Sequence, residues 1–561
     1  MKKAVPGVVA ALFIGGLLTA ARSERQDCLS QWVYPGPDGR LVYATDDQGN
    51  HIPDFSSVGY KGGVVSIPSV PVQAVVDPDP ASDDDGVRLQ AAIDQVSSVP
   101  QDENGFRGAV LLRAGEYRIG GTLFIRASGV VLRGEGQELT GTVLRATGVR
   151  PAADTSALVI VQGEGSRQKV PGTEHLIVDS YVPVGASSFT VESTDGLSVG
   201  DTVIVHRPST ANWIHDISMD QLQNPWQSGS KNIDWDRTIM SIDGNQITLD
   251  APMTNAIDQQ YGGGTIYRYA WPGRIENVGI ENLRGISDFT NPTDEDHAWD
   301  FIKLQNVQNA WVQSITAEHF VYAAVNIDKS AKWVTVDSSS NLDPISQITG
   351  GRRYSFNVNG QLTLVKNAYA RNGRHDYVLG STVPGPNVFV DSLAELTHAD
   401  AGPHHRWSNG ALFDNMVLPD GQINVRNRGN LGSGHGWAGA NDVLWNSTAA
   451  GFIVESPQTA QNWLIGSVGR LIDDHRIAVG PVLPPIVDSQ DCPVVPRSLY
   501  YQQLAERMET FGLGVIASAA APMASWRPSG MTERSSGCAS SGPTETRVRQ
   551  ASPSTTRERL P

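Results

Sequence analysis

Residues able to move a proton or hold an anion recur at a near-constant interval in the second half of the chain. "GRRYSFN" carries Arg353 and Tyr354, "RNGRHDY" carries Arg374, His375 and Asp376, "HADAGPHHRW" carries His404, His405, Arg406 and Trp407, and "GSGHGWAGAND" carries His435, Trp437 and Asn441. "NVRNRGN" adds Arg426 and Arg428. Tyr354, His375, His404 and His435 succeed one another at steps of roughly 20 to 30 residues, the length of one coil in many repeat folds. Five of the 12 histidines in 561 residues fall between positions 375 and 435. A neutral imidazole accepts a proton near physiological pH, and a guanidinium fork fits a carboxylate. Any one of these histidines could instead knit neighbouring turns as a satisfied ladder. Their convergence with Arg and Trp in Gly-flanked loops points to a site, because loops on a rigid scaffold carry function disproportionately.

Charge narrows the ligand. The formal net charge is -16, which argues against nucleic acid. Between Gly351 and Arg428, however, eight basic residues face six acidic ones, a surplus of two before any histidine is protonated. A locally basic groove on an acidic protein suits a carboxylated polymer such as an acidic polysaccharide. The matching chemistry is β-elimination, in which the uronate carboxylate is neutralised, the C5 proton removed and the C4 oxygen helped to leave. His375 or His405 is expected as base, Arg374 or Arg406 at the carboxylate, and His404 or His435 at the leaving group. Asp376 is expected to orient an imidazole. Trp407 and Trp437 are read as sugar-stacking platforms, with Arg353, Tyr354, Arg426, Arg428 and Asn441 also binding substrate.

Elements that could position such residues are visible as short apolar strands starting at Trp311, Trp333, Leu362, Val388, Leu412, Val443 and Leu464. Their starts are spaced by roughly 20 to 30 residues, and each strand is followed by Asn, Asp, Ser or Gly, which indicates a solenoid in which successive coils stack. Residues one coil apart then lie about 5 Å apart along the axis, so the clusters should form one patch. A β-sandwich also has short strands, but "FIKLQ", "WVQSIT", "AAVNI" and "WVTVDS" supply more than one strand per period.

Upstream, residues 83–148 run from "DDDGVRLQAAIDQV" through "AVLLRAGEYRI" and "GTLFIRASGVVLRGEG" to "GTVLRATG". Val87, Leu89, Ala92, Ile93 and Val96 make an amphipathic helix, followed by strands and turns. This order resembles the N-terminal cap and first coils of the pectate-lyase-like right-handed β-helix superfamily. The resemblance implies an all-β fold: a right-handed parallel β-helix with an N-terminal helical cap. It leaves the activity open among polysaccharide lyases, hydrolases, epimerases and tailspikes. The calcium-binding aspartate clusters of calcium-dependent pectate lyases have no match here, so no cofactor is fixed and Ca2+ stays open. The "GHG" at 434–436 resembles a motif of polygalacturonase-type hydrolases, whose inverting chemistry needs paired carboxylates, and among the site loops only Asp376 and Asp400 are obvious candidates. An inverting hydrolase and a non-catalytic adhesin are therefore the alternatives to a lyase.

Boundaries follow. Lys2 and Lys3, an apolar run to Leu18 and small residues up to Ala21 read as a secretory leader over 1–21, giving a secreted protein with no membrane segment once the leader is cleaved. Next are expected an extension over 22–82, the cap and first coils over 83–179, a small β insertion over 180–270 and the main coils over 271–485. A capping segment over 486–516 and a disordered tail over 517–561 complete the chain, and a monomer is expected. The insertion's Trp213, Trp226 and Trp235 could stack on sugars, with core packing expected for at least one. Of the three cysteines, Cys28 and Cys492 could tie the two ends together, a pairing the sequence leaves open, and Cys538 falls in the tail.

Overall fold

A computed structural model of the chain describes residues 28–150 and 157–512. The leader, the tail and Cys538 lie outside the described residues.

The chain is a right-handed parallel β-helix, built on a sheet system of 28 strands. Side chains in a strand alternate between faces, so a residue in parallel register with an apolar partner above and below must itself be apolar. One inward column runs Ala74, Val110, Leu132, Ile280, Val312, Val336, Val365, Phe389, Phe413, Leu444, Leu464. Aromatic members of neighbouring coils stack, as Phe389 does on Phe413 with centroids 5.2 Å apart and Phe356 on Tyr377 at 5.6 Å. The asparagines that follow many strands turn the corners: Asn306, Asn367, Asn372, Asn415 and Asn446 all have positive φ, which Asn tolerates better than other side chains.

Helix Gly86–Ser97 covers the first coils and buries Leu89, Ala92, Ile93 and Val96 in the solenoid core. Val87, placed on the apolar face above, is 82% exposed. The first coil begins inside the expected extension, since Val72–Val76 pairs in parallel with Gly108–Leu112. The rest of the extension packs along the late coils, where Val33, Ile52, Phe55 and Val58 join Val388, Leu412, Trp445 and Trp463 in one core with Leu499 and Tyr500 of helix Leu499–Thr510. Cys28 and Cys492 form a disulfide beside the parallel pair Cys28↔Val494.

Between the strand Ala157–Gln162 and the strand Ile275–Ser287 an antiparallel seven-stranded sheet is inserted, its pairing starting at Gln168 rather than near 180. It is anchored by a buried charge cluster in which Asp236 accepts from Lys332 Nζ at 2.9 Å, Arg274 at 2.8 Å and the Tyr269 hydroxyl at 2.8 Å. Trp213, Trp226 and Trp235 all lie in its core. None of them is available to a sugar ring. Among the described residues, no helix is long and apolar enough to cross a membrane.

Candidate functional site

The recurrent clusters converge, but in two columns rather than one. Phe356 pairs with Tyr377, and the same register carries Tyr354 onto His375. Val378 pairs with Gly402, a shorter offset than that from His375 to His404, so His404 sits further along its coil than His375 does on the one before. Ser408 pairs with Gly439, and that register carries His404 onto His435. Tyr354 and His375 thus precede one run of strands, while His404 and His435 follow it. The columns touch where the rings of His375 and His404 meet at 4.5 Å.

Six ring contacts link Tyr354, His375, His404, His405 and His435, with centroids 4.5 to 5.3 Å apart. Tyr322, not singled out from the sequence, extends the row at 5.1 Å from Tyr354. Its signal was an aromatic residue one coil upstream of Tyr354.

Two layers can be separated by burial and bonding. In the lower layer, Asp400 accepts from Arg428 Nη1 at 2.6 Å, and His375 Nδ1 lies 2.7 Å from the Asp400 carbonyl and 3.3 Å from its carboxylate. Those acceptors take the Nδ1 proton, and the buried Nε2 of His375 has no partner among the described residues. Burial would raise the Asp400 carboxyl, yet Arg428 and His375 together hold it well below the usual range. The Tyr354 hydroxyl lies 3.0 Å from His404 Nε2, and burial raises its pKa although Arg374 opposes the shift. Burial first, then His375, Arg428 and His405, keep His404 neutral far below the ordinary imidazole range.

In the upper layer, His405 and His435 are half-buried. Burial and then Arg406 lower His405 to about 4, while burial, His405 and Arg428 lower His435 to about 4. Both are neutral bases at pH 7. The Nδ1 atoms of both have no partner.

The basic surplus resolves residue by residue. Arg352, Lys366, Arg371, Arg426 and Arg428 pair with Glu295, Asp337, Asp343, Asp474 and Asp400. Arg353 is buried and spends its donors on Ser346 and the Asn372 carbonyl. It braces a loop and is not placed to bind substrate. Arg374 and Arg406, both partly exposed, form no ion pair among the described residues, bonding instead to the Gly350 carbonyl and to Ser433.

Several expected roles are corrected. Asp376 does not orient an imidazole: it is sealed in the coil, accepting from Ser355 Oγ at 2.6 Å, because neighbours in extended chain point to opposite faces. Asp400 takes that role. With Asp376 withdrawn and Asp400 tied to Arg428, the two carboxylates do not form the pair inverting hydrolysis needs. Trp407 and Trp437 are fully buried, donating to Asn255 Oδ1 at 2.9 Å and the Ile217 carbonyl at 3.2 Å, and pack in the insertion's core. Neither is a stacking platform. Asn441 is buried and bridges the Thr254 carbonyl and the Gln461 amide. Arg426 is held by Asp474.

Local backbone explains how "GPHHRW" serves both layers. Gly402 has φ of 120°, and a Cβ there would meet the Asn424 carbonyl oxygen at 2.2 Å, so only glycine fits the strand. Arg406 and Trp407 then take φ of 58° and 61° in succession. Such non-glycine conformations cost of order 1–3 kcal/mol each and cluster at functional sites. Here they turn Arg406 outward and Trp407 into the insertion.

Among the described residues no group of three or more His, Cys, Asp or Glu is placed to hold a metal ion.

No family model and no curated protein matches the chain. Among solved structures it is similar to the tailspike protein gp49 from Pseudomonas phage LKA1, with 14% identity over 72% of this chain and 74% of that one and a TM-score of 0.37. It is also similar to the A-module of the Azotobacter vinelandii mannuronan C-5 epimerase AlgE6, with 13% identity over 74% and 96% and a TM-score of 0.31. At these scores the fold rests on the chain's own strand registers.

Proposed function

We propose that the protein is a secreted polysaccharide lyase that cleaves a uronic-acid polymer by β-elimination. The observation that carries the reading is the pairing of an unpaired cation with neutral bases: Arg406, which forms no ion pair among the described residues, lies beside His405 and His435, whose pKa values are held down to about 4. Elimination needs that combination, a fixed positive charge to stabilise the enolate that develops on the carboxylate and an unprotonated base near C5. Inverting hydrolysis needs two facing carboxylates instead.

His405 is the base, because His375, the other candidate, is only 1% exposed. Arg406 neutralises the uronate carboxylate. His435, with its ring 5.1 Å from that of His405, donates a hydrogen bond from its neutral ring N–H to the departing C4 oxygen, which takes its proton from solvent. Beneath them Asp400 holds His375 and Arg428, and His404 and Tyr354 form the floor.

The test is incubation of the purified protein with a panel of acidic polysaccharides, following absorbance near ~235 nm from the unsaturated uronate that only elimination produces. Reducing ends without that absorbance would identify a hydrolase, and retained binding without either signal an adhesin.

A further inference from the structure

A cavity of about 300 Å3 opens where three distant parts of the chain meet: the extension at Asp46 and Asn50, the insertion at Tyr181, Arg207 and Tyr261, and the late coils at Gln458, Gln461 and Trp463. It shares no residue with the histidine cluster. Four residues of its wall carry a buried polar atom with no hydrogen-bond partner: Nη1 of Arg207, Nε1 of Trp463, and Oε1 of both Gln458 and Gln461. Orphaned buried polar atoms are rare in folded proteins, and here four belong to side chains of one cavity wall.

Their orientation is set by what the other end of each side chain does. Gln461 Nε2 donates to Asp46 Oδ2 at 2.7 Å and Gln458 Nε2 donates to the Pro481 carbonyl at 2.7 Å, so both amide oxygens are left over. Arg207 Nε donates to the Ala256 carbonyl at 3.1 Å, while the guanidinium stacks on Trp213 at 4.7 Å. Arg207 is 3% exposed and forms no ion pair among the described residues. The carboxylates nearby are already engaged, Asp46 by Asn50 and Gln461, and Asp258 by the Gln260 amide. Asp258 is the charge that opposes burial at Arg207, and Arg207 Nη1 still has no acceptor of its own, which a ligand oxygen arriving in the cavity would supply.

Two leftover donors, one of them cationic, and two leftover acceptors are the complement of a carboxylate and two hydroxyl groups. Tyr181 and Tyr261 have their hydroxyls bonded to Asn50 and Asp216, which leaves their rings as walls. The volume lies at the lower end of the roughly 300–1,000 Å3 of ligand pockets, enough for one sugar ring and too small for a polymer. We infer that this cavity binds a small hydroxylated carboxylate the size of a single uronic acid, at a site separate from the groove. Its occupancy is independent of whether elimination takes place in the groove.

Titration calorimetry on the full protein tests it, with D-glucuronate and D-galacturonate as probes, glucose supplying hydroxyls alone and glutarate carboxylates alone. Saturable binding of at least one uronate is expected, tighter by about tenfold or more than either control, since glucose brings no charged acceptor for Arg207 and glutarate no donor for the two amide oxygens. Trp463→Phe removes only the indole donor and should weaken binding severalfold, Arg207→Gln should abolish it, and His405→Gln, in the groove, should leave it unchanged. A melting curve for each variant separates lost binding from lost folding, and Trp463→Phe keeps the test valid should Arg207→Gln fail to fold. No binding by either uronate, equal binding by glucose, or binding lost in His405→Gln but kept in Trp463→Phe would overturn the inference. A protein inactive on every polymer that still binds a uronate through Trp463 and Arg207 would remove the lyase reading and leave this one standing.

Discussion

The histidine groove and the tryptophan core of the insertion are near neighbours in sequence, at His405 and Trp407, and they differ in how their polar atoms are used. In the core, Trp407 and Trp437 each donate to a fixed acceptor and are fully buried. In the groove, the Nδ1 atoms of His404, His405 and His435 and the Nε2 of His375 have no partner. A satisfied buried polar group is scaffold, because leaving it unpaired costs more than it returns. Unpaired polar groups gathered in one cluster are held at a cost to stability that a ligand or a reaction can use.

That contrast can be broken by substitution. His405→Gln should lower turnover on the responsive polymer by about 10²–10⁴-fold, the range for a lost general base, with the melting temperature almost unchanged. Trp407→Ala should do the reverse, costing about 3–5 kcal/mol of stability as for other buried aromatic truncations, with turnover per folded molecule close to wild type. If His405→Gln unfolds the protein, or Trp407→Ala weakens polymer binding in a fully folded protein, the division between groove and scaffold fails.

Asp400→Asn probes the layer between them. It keeps the volume but leaves Arg428 without its buried counter-ion and loosens His375, so a loss of about 3 kcal/mol of stability is expected, together with reduced turnover. Stability lost with full activity would mean that the lower layer only supports the coils.

The pH profile sharpens the assignment. A base must be neutral to act, and burial with Arg406 lowers His405 to about 4, so kcat/KM should be flat through neutrality and fall only as pH drops through about 4. The bound polyanion favours the imidazolium, which places the limb in kcat at a higher pH than that in kcat/KM. A limb near the unperturbed value of ~6.5 in kcat/KM would point to an unburied base elsewhere.

The smallest effect is on stability. His405 and His435 titrate lower in the folded chain than in the unfolded one, where the value is near ~6.5, so the unfolded chain binds more protons between about 4 and 6.5. Stability from these two groups is therefore complete above ~6.5 and declines as pH falls toward about 4. Buried carboxyls raised by burial, among them Asp300 and Asp414, act in the opposite sense. The difference between proteins isolates the histidines: from neutral to mildly acidic pH, the melting temperature of a His405→Gln/His435→Gln variant should fall by a few degrees less than that of wild type. Equal falls would mean that these imidazoles are no more buried than in the unfolded chain.

What the sequence determined by itself was the solenoid. Its strands repeat at roughly 20 to 30 residues, each needs an apolar residue in register with the last, and the corner asparagines and the helix Gly86–Ser97 are local signals. The neighbourhood of Tyr354, His375, His404, His405 and His435 was legible for the same reason, since a near-constant period converts sequence spacing into distance. Tertiary structure alone decided which face each residue serves. The register from Val378 to Gly402 is shorter than the step from His375 to His404, which splits one column into two, and the consecutive left-handed residues Arg406 and Trp407 send neighbours to opposite sides. The insertion, remote in sequence, turns Trp407, Trp437 and Asn441 from apparent ligand contacts into core, because burial is set by what packs against a residue, which no local pattern records.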